Sequence, residues 1–373
     1  MRTRLIGGAA LLGALALAAC GSDSGTTSTP TAAATPTAVA VKTGNPAAAV
    51  KIQEDGSSLM LPYLQAIVAP LTAAYSNITL APAAGGSGKG VTDTIAGAVD
   101  MGGSDAYLSP GQMTQNPTLA NIPVVVSAQD VFVNLPGITS LKLTGDVLAK
   151  IYQGTITKWN DPAIAALNSG VTLPATGIVP VRRVDSSGDT FLFTSFLAAT
   201  NSTWANGPSI GTTVTWPAVS TEVTAMGNPG MVTACQANPG CVAYIGISAQ
   251  ATAQAANLGL ASLQNKAGQY TNANPTSMAS AVNAVASEIP DNLSQSLIYQ
   301  GGAQSYPIVN YEYLVVNTTQ TDANKSLAMR TILAWLIDIS GGSADQYLTK
   351  ANFIALPTAV INKVKAGIGT IKP

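Results

Sequence analysis

Between Ala83 and Leu108 the chain reads AAGGSGKGVTDTIAGAVDMGGSDAYL, and no other stretch limits its possible architectures as strongly. Small residues crowd Gly85-Gly86-Ser87-Gly88-Lys89-Gly90, and then Val91, Ile95 and Val99 recur at every fourth position in a short helical pattern. A glycine-rich turn entering a helix presents unpaired backbone N–H groups and the positive end of the helix dipole. Together these make a site for an oxyanion. The stretch closes on Gly102-Gly103-Ser104-Asp105, where a carboxylate conflicts with a nearby anion. Two further turns, Gly56-Ser57-Ser58 and Ser186-Ser187-Gly188, also lie between a strand pattern and a helix pattern. Arg183 precedes the second of these, and its guanidinium fork suits a two-point contact to an oxyanion. The glycine run is not a nucleotide P-loop, because Lys89 is followed by Gly90 and residue 83 is not glycine.

Composition removes several classes of function. The net charge is −1 and only 9% of residues are charged, which leaves no basic face for nucleic acid. The chain has no histidine, which excludes Ser-His-Asp and Cys-His catalysis and most zinc sites. Its 373 residues suffice for two ordinary domains. Residues 1–19 read as an export signal, with Arg2 and Arg4 ahead of an apolar run from Leu5 to Ala19 that is too short to span a bilayer. Leu17-Ala18-Ala19-Cys20 looks like a bacterial lipobox, which implies cleavage before Cys20 and lipidation of its thiol. Residues 20–46 are rich in Ser, Thr, Ala and Pro and read as a disordered tether. Its reach, if flexible, is roughly 25–30 Å. In an exported protein Cys235 and Cys241, flanking a turn-forming Gln-Ala-Asn-Pro-Gly, read as a disulfide that pins a loop.

Strand and helix patterns alternate along the rest. Val50–Glu54, Asn77–Pro82, Ile122–Val126, Val131–Asn134, Ile178–Arg183, Val242–Ile247 and Tyr306–Asn317 read as strands. Leu59–Tyr75 and Leu143–Tyr152, the latter behind Thr144 as N-cap, read as helices. So do the segment opening at Pro162, one with Leu192, Phe196 and Ala199 on a face, Leu327–Ile339, and a final helix after Pro357. Such alternation predicts an α/β architecture.

Five ordered segments then carry a resemblance. They are Gly86–Val91, Val99–Asp105, the run from Leu148-Ala149-Lys150-Ile151-Tyr152-Gln153-Gly154 to Trp159-Asn160-Asp161-Pro162, Arg182–Gly188, and Tyr306–Tyr313. In these the chain resembles the PstS family, the phosphate-binding proteins of bacterial phosphate ABC transporters, over roughly residues 50–373. The resemblance implies a two-lobed type II periplasmic-binding-protein fold with two crossover hinge strands and the ligand between the lobes. Carried onto this chain, one lobe is 47–127 plus 305–373 and the other 128–304. It implies phosphate contacts from Ser58, Leu59 (through its N–H), Ser87, Asp105, Arg183, Ser187, Gly188 and Asp189, with Asp185 orienting Arg183. It also implies a non-enzymatic receptor on the outer face of the cytoplasmic membrane, held there by its lipid, working with an ABC permease and needing no cofactor or metal; a monomer is the default expectation.

The resemblance resolves the conflict over Asp105. An ionised carboxylate only accepts hydrogen bonds. Phosphate near neutral pH still carries a proton to donate, whereas sulfate carries none. An acceptor therefore favours phosphate and leaves sulfate against an unpaired charge. The chain departs from the family at Leu59, where Phe is common, and at Asp189, where Thr is common. Asp189 is expected to turn outward, cap its helix and offer only its N–H. Lys89, at a turn, is expected to be solvated. The alternatives are a receptor for sulfate or molybdate, an exported phosphatase with Ser87 or Ser187 as nucleophile, and a surface protein that has lost its ligand.

Overall fold

A computed structural model describes residues 40–373; the expected signal segment, Cys20 and the tether up to residue 39 lie outside the described residues. The strands are β1 (Val50–Gly56), β2 (Ile78–Pro82), β3 (Met101–Ser104), β4 (Leu119–Val133), β5 (Ser140–Leu143), β6 (Val179–Arg183), β7 (Val223–Ala225), β8 (Cys241–Gly246), β9 (Gly259–Gln264), β10 (Tyr270–Thr271) and β11 (Val309–Asn317). They pair in the order β2-β1-β3-β11-β4-β8-β6-β7, and β9 joins β4 to β5 and β10.

Parallel pairs build each half. β1 lies between β2 and β3, and β6 lies between β7 and β8, all parallel. Strands buried on both faces read as unbroken apolar runs, and β8 (CVAYIG) is buried at every position. β4 and β11 link the halves. The first part of β4 pairs with β11 from Leu119 to Ala128, and its last five residues, Gln129 to Val133, pair with β8. The return passes the same point, where the Gln129 amide donates to Ile308 O at 3.0 Å and the Tyr306 hydroxyl to Gln129 O at 2.9 Å. The sequence predicts two strands where β4 is one. The polar Ser127-Ala128-Gln129-Asp130 interrupts the apolar pattern, yet all four are buried because β11 and then β8 cover them.

Helices cover the sheet. α1 (Leu61–Ala74) buries Tyr63, Leu64, Ile67 and Leu71. α2 (Ser87–Ile95) is shorter than the spacing of Val91, Ile95 and Val99 predicts. Gly97 takes φ +67° and stops it, so Val99 falls outside and Ile95 is exposed. The face it buries carries Ser87, Gly90, Val91 and Thr94 instead. Gly90 is needed there, since a Cβ would lie 2.5 Å from Asp55 O. The helices Gly145–Tyr152 and Gly188–Thr200 begin on Thr144 and Ser187, each accepting from the backbone N–H three residues on. The helix Gly227–Ala237 is one the sequence pattern does not predict. The Cys235–Cys241 disulfide joins its end to the start of β8.

Chain order begins earlier than composition indicates. Arg330 donates to Lys42 O at 3.2 Å, the Gly44 amide to Thr331 Oγ1 at 3.0 Å, and Asn77 Nδ2 to Pro46 O at 2.8 Å. These contacts hold 42–46, the end of the expected tether, on the helix Ala323–Leu336 and the loop before β2. Trp159 and Trp204 are fully buried, with indole N–H groups donating to Gly240 O and Ser209 O. Among the described residues no helix is long and apolar enough to cross a membrane.

Candidate functional site

The three Ser/Gly turns leave the carboxyl ends of parallel strands, where open α/β sheets place their ligand sites. Ser57, Ser58 and Leu59 follow β1, Asp105 follows β3, and Arg183 ends β6. The turns from the two halves meet directly. The Gly88 amide donates to Ser186 O at 3.0 Å, and the Asn228 backbone N–H and side-chain amide both donate to Ser58 Oγ at 3.2 Å. The seam is closed tightly enough that glycine is required. A Cβ on Gly188 would overlap Asp105 Oδ2 and Ser87 Oγ, and one on Gly88 would overlap Ser186 Oγ. A cavity of about 250 Å³ opens beside it, bordered by Ser87, Gly88, Tyr107, Phe191 and Thr212.

Asp105 is 2% exposed. Its backbone N–H donates to Ser87 Oγ at 3.2 Å, and Ser57 Oγ donates to its Oδ1. Ser57 Oγ in turn accepts the amides of Leu59 at 3.1 Å and Met60 at 3.0 Å. The Leu59 N–H is thus engaged by Ser57. Ser58 and Ser87 both use their oxygens as acceptors, which leaves each hydroxyl proton to be given to something else. Ser187 caps its helix, with Oγ accepting from the Thr190 amide at 3.3 Å and its own amide donating to Thr212 O at 2.9 Å. Gly188 and Asp189 occupy the first helical turn, where amides have no intrahelical partner.

Arg183 and Asp189 are the charged centre. Arg183 Nε and Nη2 grip the two oxygens of Asp185, the former at 2.7 Å. Nη1 reaches Asp189 Oδ2 at 2.7 Å. Asp189 does not turn outward as its place at a helix start predicts. It points inward, receives Asn228 Nδ2 at 2.8 Å and Gln129 Nε2 at 3.1 Å, and is 1% exposed. The guanidinium and two amides outweigh the solvation it would gain outside. Against the burial that raises it, Arg183 holds the Asp185 carboxyl below the usual carboxylate range. Burial raises the Asp189 carboxyl, and Arg183 opposes the rise. Burial and the nearby Glu312 and Asp189 carboxylates push Asp105 well above the ordinary aspartate value. Lys89 is paired with Asp55 at 2.7 Å and with Asp93, so it is not simply solvated.

Sequence reasoning passed over Ser57, Gln129, Asn228 and Glu312 as participants. Glu312, in the middle of β11, is fully buried, and the β3–β11 register sets it beside Asp105. The available signal is the one charged residue in β11, because glutamate is rarely buried without a partner. Two other acids, Glu54 and Asp130, are buried. Glu54 on β1 is pushed up to about 8, first by burial and also by Asp55. Asp130 on β4 is pushed up to about 7 by burial.

Hydroxyls, helix-start amides and one guanidinium meet buried carboxylates at this seam, an arrangement whose chemistry can take up an oxyanion that still carries a proton. With the two-lobed α/β fold they define a solute-binding protein of the type II periplasmic class. Comparison with known proteins gives the family. Residues 25–338 match the PBP superfamily domain PBP_like_2. The chain is 34% identical over 291 residues to the Phosphate-binding protein PstS of Pasteurella multocida (strain Pm70), covering 75% of this chain and 79% of that one. Among solved structures, the phosphate-binding protein from Stenotrophomonas maltophilia aligns with TM-score 0.64 at 22% identity, over 85% of this chain and 94% of that one. An ABC-type phosphate transport receptor from Vibrio cholerae aligns with TM-score 0.52 at 18% identity, over 81% of this chain and 99% of that one. The chain belongs to the PstS family of the PBP superfamily.

Proposed function

We propose that this chain is an exported receptor that binds inorganic phosphate between its lobes and delivers it to an ABC-transporter permease, without catalysing a reaction. The observation that carries the reading is Asp105, a buried acceptor of the Ser57 hydroxyl set against Ser87 and Gly188 at a closed seam. The names of the Pasteurella and Vibrio proteins, a phosphate-binding protein and a phosphate transport receptor, support it.

In this reading Ser58, Ser87 and the amides of Gly188 and Asp189 donate to phosphate oxygens, and Arg183 supplies the positive charge. Asp185 fixes the guanidinium plane. Asp105 accepts a hydrogen bond from the hydroxyl that phosphate retains, and sulfate is refused for lack of one. The Asp189 carboxylate serves Arg183 and its N–H serves the ligand. Leu59 and Ser187 shape the two loops. The lobes, 47–127 plus 305–373 and 128–304, close by bending where β4 and the Ile308–Val309 segment cross. Residues 1–19 direct export, Cys20 carries the lipid, and the protein works as a monomer beside its permease.

Thermal unfolding of ligand-stripped protein tests the reading. A ligand that binds only the folded state raises the midpoint as its concentration exceeds Kd. Millimolar phosphate raises it and equal sulfate does not; equal shifts with both anions, or none with either, refute the proposal.

A further inference from the structure

The register of the sheet brings two acids face to face. Ser104, the last residue of β3, pairs with Tyr313 in antiparallel β11, so the next residue, Asp105, falls beside Glu312. Both side chains are almost or fully shielded, at 2% and 0% exposure. Ser127 Oγ and Asn310 Nδ2 both donate to Glu312 Oε1, the latter at 2.8 Å. Glu312 Oε2 has no hydrogen-bond partner, and the register leaves the Asp105 carboxyl as the acid beside it. Two buried carboxylates in contact do not both ionise.

We infer that Asp105 and Glu312 form a carboxyl dyad that holds one proton, and that Glu312 is thereby a specificity-determining partner of the phosphate acceptor. The groups facing the dyad allow no other neutralisation. Asp189, on the helix Gly188–Thr200, adds negative charge. Arg183, at the end of β6, is committed to Asp185 and Asp189. The Tyr313 hydroxyl, on β11 itself, donates to Gln295 O at 3.2 Å, away from the acids. Ser57 from the loop after β1 and Ser127 from β4 are neutral donors. Burial raises both members of the pair, in the direction that keeps a proton between them.

The proton gives the pair a division of labour. With phosphate absent it lies between the two acids. When phosphate enters, its own hydroxyl donates to Asp105, and the dyad proton stays on Glu312, which donates to the same carboxylate. Asp105 is then a single negative acceptor oriented by a neutral acid. Were both acids ionised, the site would hold four carboxylates, counting Asp185 and Asp189, against one guanidinium, and a phosphate anion would be repelled. This role in selectivity rests on the phosphate reading; the shared proton does not.

Infrared difference spectroscopy of wild-type protein against E312Q at neutral pH, with and without phosphate, reads the proton directly. A neutral-acid C=O stretch present in wild type and missing in E312Q is expected in both conditions, while Glu54 and Asp130 cancel. Identical neutral-acid bands in the two proteins overturn the inference. Phosphate titrations of E312L and E312Q supply a second readout. Leucine cannot donate to Asp105 and lowers phosphate affinity by at least about tenfold. Glutamine, whose amide donates as the neutral acid does, recovers most of that loss. Glutamine as weak as leucine also overturns the inference. If the band is lost in E312Q but wild type binds no phosphate, the dyad stands and the phosphate reading fails. If wild type binds phosphate and no band is lost, the reverse holds.

Discussion

Asp189 Oδ2 lies 2.7 Å from Arg183 Nη1, and both side chains are 1% exposed. With Asp185 on its other edge, Arg183 is clamped between two carboxylates. A guanidinium held this way loses little side-chain freedom on binding. Two of its five N–H groups remain for a ligand.

Removing the cation should therefore damage fold and function together. Arg183→Ala leaves the buried Asp185 and Asp189 carboxylates without their cation, and breaking a buried pair in this way costs about 3–5 kcal/mol. Denaturant titration should show that loss, with phosphate binding abolished. A variant as stable as wild type would show that the clamp does not hold these elements together.

Asp105→Asn tests selectivity separately. The amide keeps the size of the side chain but gives sulfate a donor in place of a repelling charge. Competition binding should show the phosphate-over-sulfate ratio falling by about tenfold or more, given about 1–3 kcal/mol for an unmatched buried group. An unchanged ratio would move discrimination elsewhere in the cleft.

Gly188→Ala tests closure. The new Cβ overlaps Asp105 Oδ2 and Ser87 Oγ across the seam. Overpacking of this kind costs about 1–3 kcal/mol, here drawn from the closed state. Phosphate affinity should fall about tenfold or more, and small-angle scattering should show the phosphate-saturated variant expanded relative to wild type. Equal radii and equal affinities would mean that the seam yields without cost.

Glu54 predicts a pH dependence with a definite sign. The folded state keeps its proton to about pH 8, whereas the unfolded chain releases it near 4.5. Between those values the folded state binds the extra proton, so stability falls as pH rises. The slope is about 1.4 kcal/mol per pH unit for one group, and it flattens below and above the window. Asp130 adds a similar decline up to about pH 7. Unfolding free energies measured from about pH 5 to about pH 8 should decline less steeply in Glu54→Gln than in wild type. Parallel curves would show that Glu54 is ionised in the fold.

Local chemistry was legible in the sequence, and chemistry that depends on distant partners was not. Ser87, Asp105, Arg183 and Ser187 stand in turns whose glycine and hydroxyl content marks them without reference to the rest of the chain, and the structure gathers all four at one seam. Asp185 beside Arg183 is equally local. Glu312 is marked in the sequence only as the one charge in β11; its neighbours, Ser127 and Asp105, lie nearly two hundred residues or more away, and only the β3–β11–β4 register brings them together. Asp189 was misread for the same reason. Its place at a helix start predicts a cap facing solvent, whereas Gln129 and Asn228 draw it inward from elements remote in sequence. The merging of two predicted strands into β4 follows from burial supplied by β11 and β8.

The central claim is that one buried acceptor makes this a receptor for phosphate, and calorimetric titration tests it most directly. Protein unfolded, stripped of ligand and refolded is titrated first with phosphate and then, in a separate run, with sulfate. The account predicts saturable one-to-one binding of phosphate and no heat from sulfate. Binding of sulfate as tight as that of phosphate, or of neither anion by correctly refolded protein, would contradict it.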